Sequence, residues 1–326
     1  MLKVLAEPHR EFDRGCVLTL GNFDGVHRGH QTLLKQLQER AHVMQLPAAV
    51  ILFEPQPQEF FQPGNAPARL MHWMEKVLAL QTIFTADAIE GYILTLHFEA
   101  RLAALNATAF LHRVLLPLQF KYLIVGADFR FGCERDGDVA LLQTQARHHH
   151  FQVEVWPTLV YQGKRVSSTA VRAALAKAHF ALATALLGRP YTMTGLVIRG
   201  AQRGRTLGYP TANIALEKRQ PAVQGVLAVW VHGLGASPLP GMANIGCRPT
   251  VGGTSVYLEV HLFDFNADIY DRQIRVEFVQ HLRAEQKFPS IEALKEQLEK
   301  DSAAAKCVLK RSKPCRVTLG SSDYEL

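Results

Sequence analysis

Hydrophobic positions in the first half of the chain alternate between short continuous runs and helical stripes. Cys16-Val17-Leu18-Thr19-Leu20 is a strand-like run that leads into Gly21-Asn22-Phe23-Asp24-Gly25-Val26-His27-Arg28-Gly29-His30. From Gln31 to Met44 the apolar residues Leu33, Leu34, Leu37 and Ala41 then repeat at helical spacing. Ala48 to Phe53 is apolar without a break, as in a strand covered on both faces, and Glu54-Pro55-Gln56-Pro57 ends it. The pattern goes on with a helix from about Leu70 to Thr85, a strand at Tyr92–Leu96 and a helix from Ala100 to Leu116 stopped by Pro117. A strand at Tyr122–Val125 runs into Gly126–Gly132, followed by a helix from Val139 to His149 and a strand around Val153–Trp156. Such alternation predicts a parallel, doubly wound α/β sheet. A further helical stretch starts near Val166 and reaches Leu187 with a break near His179, and Gly188-Arg189-Pro190 marks a boundary.

Beyond residue 190 the pattern changes to short strands separated by turn residues. Thr192–Arg199, Gly225–His232, Gly241–Ile245, Ser255–Phe263 and Gln273–Phe278 predict a closed or partly closed antiparallel barrel. A terminal helix from Ser290 to about Leu309 follows, with Ser290 as its cap and Leu294, Leu298 and Val308 on its packing face. The expected organisation is therefore residues 1–187, residues 188–310 and a C-terminal tail, 311–326, that wanders or docks weakly.

The length, 326 residues, suits two domains that each bury a core, and 48% hydrophobic with 20% charged residues is ordinary for a globular chain. The opening residues lack the apolar centre of a leader, and no apolar run approaches the roughly 20 residues of a membrane span, so no membrane partner is expected. Cys16, Cys133, Cys247, Cys307 and Cys315 are scattered, odd in number and without a CxxC pair, which fits reduced thiols in a cytoplasmic protein. The net charge of +7 is not concentrated: 18 basic and 16 acidic residues lie up to residue 186, and 18 and 13 after it. Small anionic ligands account for that excess, and no nucleic-acid partner is expected.

Candidate chemistry collects where predicted strands end, as it does in open α/β sheets. In Gly21–His30 the glycines Gly21, Gly25 and Gly29 allow a close backbone approach, and His27 and His30 stand three residues apart where turn becomes helix. A helix amino end attracts phosphate, so this stretch reads as a nucleotide-phosphate site with two histidine donors. Ser167, Ser168, Thr169 and Arg172 start the next helix, where they are either an ordinary cap or a triphosphate grip. Asp128 lies in the turn after the Tyr122–Val125 strand. In the second half, Gly200–Asn213 is either a plain barrel loop or a nucleotide site, with Thr211 and Asn213 as neutral oxygen donors for Mg²⁺. Glu259, alone in Tyr257–Leu262, either faces solvent or serves as a general base. His148-His149-His150 do not share one helical face and read as a solvated helix end.

Taken in order, these segments resemble the bifunctional riboflavin kinase/FAD synthetase of bacteria. Gly21–His30, Phe53–Pro57, Val125–Gly132 with Gly137-Asp138, and Ser167-Ser168-Thr169 with Arg172 match its Rossmann-like nucleotidyltransferase part. Gly195–Arg199, Gly204–Asn213, Ala243–Thr250, Leu258–His261 and Leu282–Phe288 match its kinase barrel, and the likeness runs from about Thr19 to Leu309. The resemblance implies two reactions: riboflavin and ATP give FMN, then FMN and a second ATP give FAD and pyrophosphate. Mg²⁺ is implied, and no tightly bound prosthetic group is required.

By the same resemblance His27 and His30 contact ATP phosphates, while Gly21, Asn22, Asp24, Gly29, Asp128, Ser167, Ser168, Thr169 and Arg172 line the adenylyl site. In the kinase, Thr211 and Asn213 hold the metal-nucleotide, Glu259 takes the ribityl proton, and Gly204, Arg205, Gly208, Pro210 and Arg283 line the nucleotide and flavin. A monomer or weak homo-oligomer is expected. The alternative is a nucleotidyltransferase for another phosphate, with an inactive or altered second half.

Overall fold

The computed structural model describes residues 2–5, 12–84, 90–200, 204, 207–216, 220–250 and 253–315. The chain divides into two compact units, Met1–Val171 and Arg172–Leu326.

In the first unit the continuous apolar runs become central strands. The strands are β1 (Leu2–Leu5), β2 (Val17–Leu20), β3 (Ala48–Glu54), β4 (Gly91–His97), β5 (Tyr122–Gly126) and β6 (Gln152–Trp156), all parallel, in the order β1-β4-β3-β2-β5-β6. Successive residues of β3 enter opposite cores: Ala49 and Ile51 pack with Phe110, Leu111, Leu115 and Leu142, and Val50 and Leu52 pack with Leu34, Leu37, Leu80 and Phe84. Both faces of the sheet are thus covered, which is why β3 shows no polar alternation. Each buried valine, leucine or isoleucine among these contributes roughly 1.5–3 kcal/mol.

α1 (Arg28–Met44) and α3 (Trp73–Phe84) supply one cover; α5 (Ala107–Phe110) and α6 (Val139–His149) belong to the other. The short helices α2 (Pro57–Phe61) and α4 (Ala100–Ala103) follow β3 and β4. Because the chain runs from β2 out to β3 and β4, then returns to β5 on the other side of β2, strand order reverses between β2 and β5. Ligands of such sheets bind beyond the carboxyl ends at that reversal.

Several features differ from the sequence expectation. The helix expected over Ala100–Leu116 is broken: α4 stops at Ala103, and Asn106 starts α5 by accepting a hydrogen bond from Ala109 N at 2.8 Å. A π-turn (Leu111–Leu115) and a 3₁₀ turn (Leu116–Leu118) follow. An amide side chain able to cap competes with helix continuation at 106. β1 adds an edge strand beside β4 that its four residues do not announce. A two-stranded hairpin, β7 (Val160–Tyr161) and β8 (Lys164–Arg165), precedes α7 (Ser168–Ala176). The expected break near His179 is present, between α7 and α8 (Phe180–Leu187).

In the second unit β9 (Thr192–Ile198), β10 (Ala212–Ile214), β11 (Gly225–His232), β12 (Leu239–Thr250), β13 (Gly253–Leu262) and β14 (Gln273–Arg283) close an antiparallel barrel in the order β10-β13-β12-β11-β14-β9. The terminal helix α9 (Ile291–Arg311) is capped by Ser290, whose Oγ accepts from Ala293 N at 3.2 Å. Its Ala305 and Leu309 join Ala228, Met242 and Phe263, with Leu298 and Val308 packed alongside. Beyond α9 the tail docks at least to Cys315: Trp230 Nε1 donates to Ser312 Oγ at 3.3 Å, and Cys315 N donates to the Glu277 carboxylate at 3.2 Å.

Candidate active sites

The turn after β2 is bent by backbone that few side chains tolerate. Phe23, Gly25 and Val26 all have positive φ, of 45°, 81° and 40°. For a β-branched residue such as Val26 this is a strained conformation of the kind stored at functional turns. The bend ends at His27, the N-cap of α1, whose Nδ1 accepts from His30 N at 3.3 Å. The two imidazoles stack with centroids 3.6 Å apart and planes 16° from parallel, and Phe23 leans on His30 at 4.9 Å. A Cβ on Gly29 would lie 3.2 Å from the His27 ring, so position 29 is small because that histidine folds over it. The result is two adjacent imidazoles at the positive end of a 17-residue helix.

Behind this turn stands a charged bracket. Both carboxylate oxygens of Asp24, which is 2% exposed, accept from Leu70 N at 3.1 Å, and one also accepts from Met71 N at 3.2 Å. Asp24 therefore engages backbone amides of the chain leading to α3, and its main-chain oxygen accepts from Ser168 Oγ at 2.8 Å. Next to Leu70, Arg69 is gripped by Glu54, at the end of β3, and by Glu59 of α2. Burial alone would weaken the Arg69 charge, but hydrogen bonds to Glu59 and Glu54 hold its pKa above the ordinary value. Burial has the opposite sign for Glu59 and pushes it up, but Arg69 and the Gln56 amide outweigh it, leaving Glu59 below the usual carboxylate range.

The turn after β5 lies across the strand reversal from the histidines. There Asp128 pairs with Arg165 at 2.6 Å, and Arg130 pairs with Asp138, the N-cap of α6, at 3.2 Å. An open pocket of about 390 Å³ is lined here by Asp128, Phe129, Arg130, Arg135 and Asp138 among others. At the start of α7, Ser167 Oγ accepts from Ala170 N at 3.2 Å, as a helix cap does, while Ser168 Oγ donates to Asp24 O in the histidine turn. Thr169 is exposed and Arg172 half-buried.

In the second unit the loop before β10 is folded on itself. Leu207 N and Tyr209 N both donate to Gly204 O, at 3.1 and 2.9 Å, and His261 Nδ1 lies 2.8 Å from Pro210 O. Gly208 has φ of 82°, which makes it the residue that lets this loop close. Arg205 lies outside the described residues. A Cβ on Gly200 would fall 2.2 Å from the Asn213 carboxamide, and one on Gly204 would be 3.5 Å from Thr211 Cγ2.

Asn213 of β10 is the register partner of Glu259 on β13, and Glu259 that of Asn244 on β12. Partners in register share one face. Half-buried Tyr257, Glu259 and His261 alternate with buried Leu258, Val260 and Leu262. The Glu259 row continues through His261 and its partner Met242 to the face covered by α9. Asn244 Nδ2 donates to Glu285 at 3.2 Å, and Tyr257 Oη is hydrogen-bonded to the same carboxylate. Arg283 commits Nε and Nη2 to Asp301 of α9, at 3.0 and 2.7 Å, and Nη1 to Ala284 O at 2.9 Å. Its guanidinium also lies over Phe288, 5.5 Å from the ring centroid.

The structure thus joins His27 with His30 and Asp24 with Ser168, and it aligns Asn213 with Glu259. The sequence reading singled out neither Arg69 and Glu59, which meet Glu54 in this bracket, nor buried Lys76 of α3; their one signal is that lysine in the apolar stripe of the helix, in line with Leu80 and Phe84.

Both halves of the chain match known proteins. A family model described as FAD synthetase matches residues 9–170, and one described as riboflavin kinase matches residues 187–309. The bifunctional riboflavin kinase/FMN adenylyltransferase of Escherichia coli (strain K12) is 48% identical over 301 residues, covering 92% of this chain and 95% of that protein. The protein of that description from Pseudomonas fluorescens is 49% identical over 297 residues, covering 90% and 93%. A crystal structure described as a macrolide-efflux protein from Streptococcus pneumoniae superposes with a TM-score of 0.74 at 28% identity, covering 93% of this chain and 98% of that one. Among the described residues of the present chain no helix is long and apolar enough to cross a membrane. The chain belongs to the bifunctional riboflavin kinase/FMN adenylyltransferase family.

Proposed function

We propose that residues 1–187 form the FMN adenylyltransferase module, residues 188–310 the riboflavin kinase module and residues 311–326 a tail, and that the modules act in succession on one flavin. The observation that carries the first assignment is the stacked His27–His30 pair at the amino end of α1, beside the strand reversal. An FMN phosphate oxygen attacks the α-phosphorus of ATP, the bond to the β-phosphate breaks, and pyrophosphate leaves. His27, His30 and the α1 amides stabilise charge that grows on the α-phosphate and the leaving group. FMN phosphate is already a nucleophile, so alignment does the rest. Gly21, Asn22, Gly29, Asp128, Ser167, Thr169 and Arg172 line this site, and Asp24 and Ser168 hold its turn in place.

In the kinase module Glu259 takes the proton of the terminal ribityl hydroxyl, whose oxygen attacks the γ-phosphorus of the first ATP as ADP leaves. The face shared by Glu259, Asn213 and Asn244 supports this role. The loop formed by Gly204, Arg205, Gly208 and Pro210 covers the nucleotide, and Arg283 shapes the flavin wall through its clasp on Asp301. Thr211 and Asn213 fit Mg²⁺: both offer neutral oxygens, Gly200 leaves room for the Asn213 carboxamide, and a carboxylate stands next in register. When bound there, Mg²⁺ neutralises phosphate charge. The protein is placed in the cytoplasm as a monomer or weak homo-oligomer acting on small molecules.

Separating flavins over time after incubation with riboflavin, ATP and Mg²⁺ tests the scheme. FMN should appear first and FAD after it. Glu259→Gln should stop FMN formation yet convert supplied FMN to FAD, and His30→Ala should do the reverse. A folded variant of either kind that lost both activities would refute the residue assignment.

A further inference from the structure

Lys76 lies on α3 in line with Leu80 and Phe84 and, like Leu80, is wholly buried. Its Nζ has no hydrogen-bond partner among the described residues. Removing an ammonium from water without hydrogen bonds is strongly unfavourable, so charges acting from a distance must hold it. They come from the elements around it: Asp24 in the turn after β2, Glu54 at the end of β3 and Glu59 on α2 attract it, and Arg69 repels it. Burial lowers its pKa below the ordinary lysine value, against the pull of Asp24 and Glu54. The segment that carries it also touches both turns directly, through Leu70 N and Met71 N on Asp24 and through Arg69 on Glu54 and Glu59.

We propose that Lys76 is a positioning residue for adenylyl transfer: its buried charge balances Asp24 and Glu54 together and so fixes the spacing between the turn carrying His27 and His30 and the turn that ends β3. Three carboxylates face two cations in this cluster. Without Lys76, Asp24 and Glu54 would lose a positive charge that both attract. His27 follows Asp24 by three residues, so a shift of the carboxylate moves the histidine pair. A misplacement of about 1 Å at a reacting phosphate lowers a rate by about 10²-fold. The effect falls on kcat, because Lys76 is sealed from solvent and acts through the two turns.

The inference rests on assigning adenylyl transfer to the first unit. Wild-type protein that made no FAD from FMN would remove that assignment. An active wild type with an indifferent variant would remove only the present inference. In full-length Lys76→Met, kcat for FMN adenylylation should fall by about 10- to 100-fold, with KM for ATP and FMN little changed and riboflavin phosphorylation by the same molecules intact. Lys76→Arg, which keeps the charge, should recover much of the loss. An unchanged kcat in Lys76→Met, or equal loss in both variants, would overturn the proposal. Should neither variant fold, the wild type decides. Adenylyl transfer must then fall as the ammonium is lost at rising pH, over a range where the kinase reaction holds, and a shared profile overturns the assignment.

Discussion

Replacing Asp301 with alanine isolates the contact that fastens α9 to the barrel. The carboxylate is 5% exposed and the Arg283 side chain 19%. It accepts from Arg283 Nε and Nη2 at 3.0 and 2.7 Å and from Gln297 Nε2 at 2.8 Å. Breaking a buried pair by removing one partner costs about 3–5 kcal/mol, because the other charge is left uncompensated. Arg283 retains some contact with water and its bond to Ala284 O, so the lower part of that range, ~3 kcal/mol, applies. For a unit of this size a loss of 1 kcal/mol lowers the midpoint by about 2–4 °C, which gives a shift of roughly 6–12 °C. Differential scanning calorimetry should place that shift in the transition that carries riboflavin kinase activity and leave FMN adenylylation intact at moderate temperature. The double variant Arg283→Met with Asp301→Leu should regain most of the loss, since a well-packed apolar pair often equals a buried ion pair. A shift below about 2 °C for Asp301→Ala, or a double variant no better than the single one, would refute this account of the clasp.

Other outcomes follow from local chemistry. Burial pushes the Cys16 thiol up to about 12, so it stays protonated at pH 8. A thiol reagent should therefore modify exposed Cys133 and Cys307 in the folded protein and spare Cys16, as peptide mass spectrometry will show. Ser290→Ala removes the α9 cap and should lower stability by ~1 kcal/mol in urea unfolding; no change would mean that the cap is replaced by water. Glu59 has its folded pKa below the ordinary carboxylate value. Its contribution to stability is complete above that ordinary value, about 4.3, and is lost as pH falls through the folded one. Acid titration followed by circular dichroism should show a weaker pH dependence for Glu59→Gln than for the wild type, and identical curves would contradict the pairing with Arg69.

Local rules were sufficient where the sequence carries its own period or punctuation. Gln31–Met44 shows a helical stripe and Ala48–Phe53 a continuous apolar run, and both elements formed within a few residues of their expected limits. Ser290 was readable as a cap because its partner, Ala293 N, is three residues away. Long-range partners were not readable. Asp24 meets Leu70 N across 46 residues and Arg283 meets Asp301 across 18, and nothing near either carboxylate in sequence names its partner. The side of the barrel that Glu259 faces was equally hidden, since alternation separates two faces without saying which one α9 covers. The helix expected over Ala100–Leu116 failed because high helix propensity masks a single capping asparagine at 106.

The two-sided packing of β3 carries a consequence for how the sheet finds its alignment. In a sheet with one wet face, sliding a strand by one residue exposes its apolar set, and water corrects the error. Ala48 to Leu52 offer no such correction, because both sides of the strand are dry and a slip would only exchange the contents of two cores. The alignment must then be enforced from the strand ends. Glu54 can enforce it, since a slip of one residue moves its carboxylate by about 3.3 Å, far enough to break its grip on Arg69, and brings Phe53 toward the guanidinium instead. The ion cluster beside the His27–His30 turn thereby acts as a ratchet stop for strand alignment.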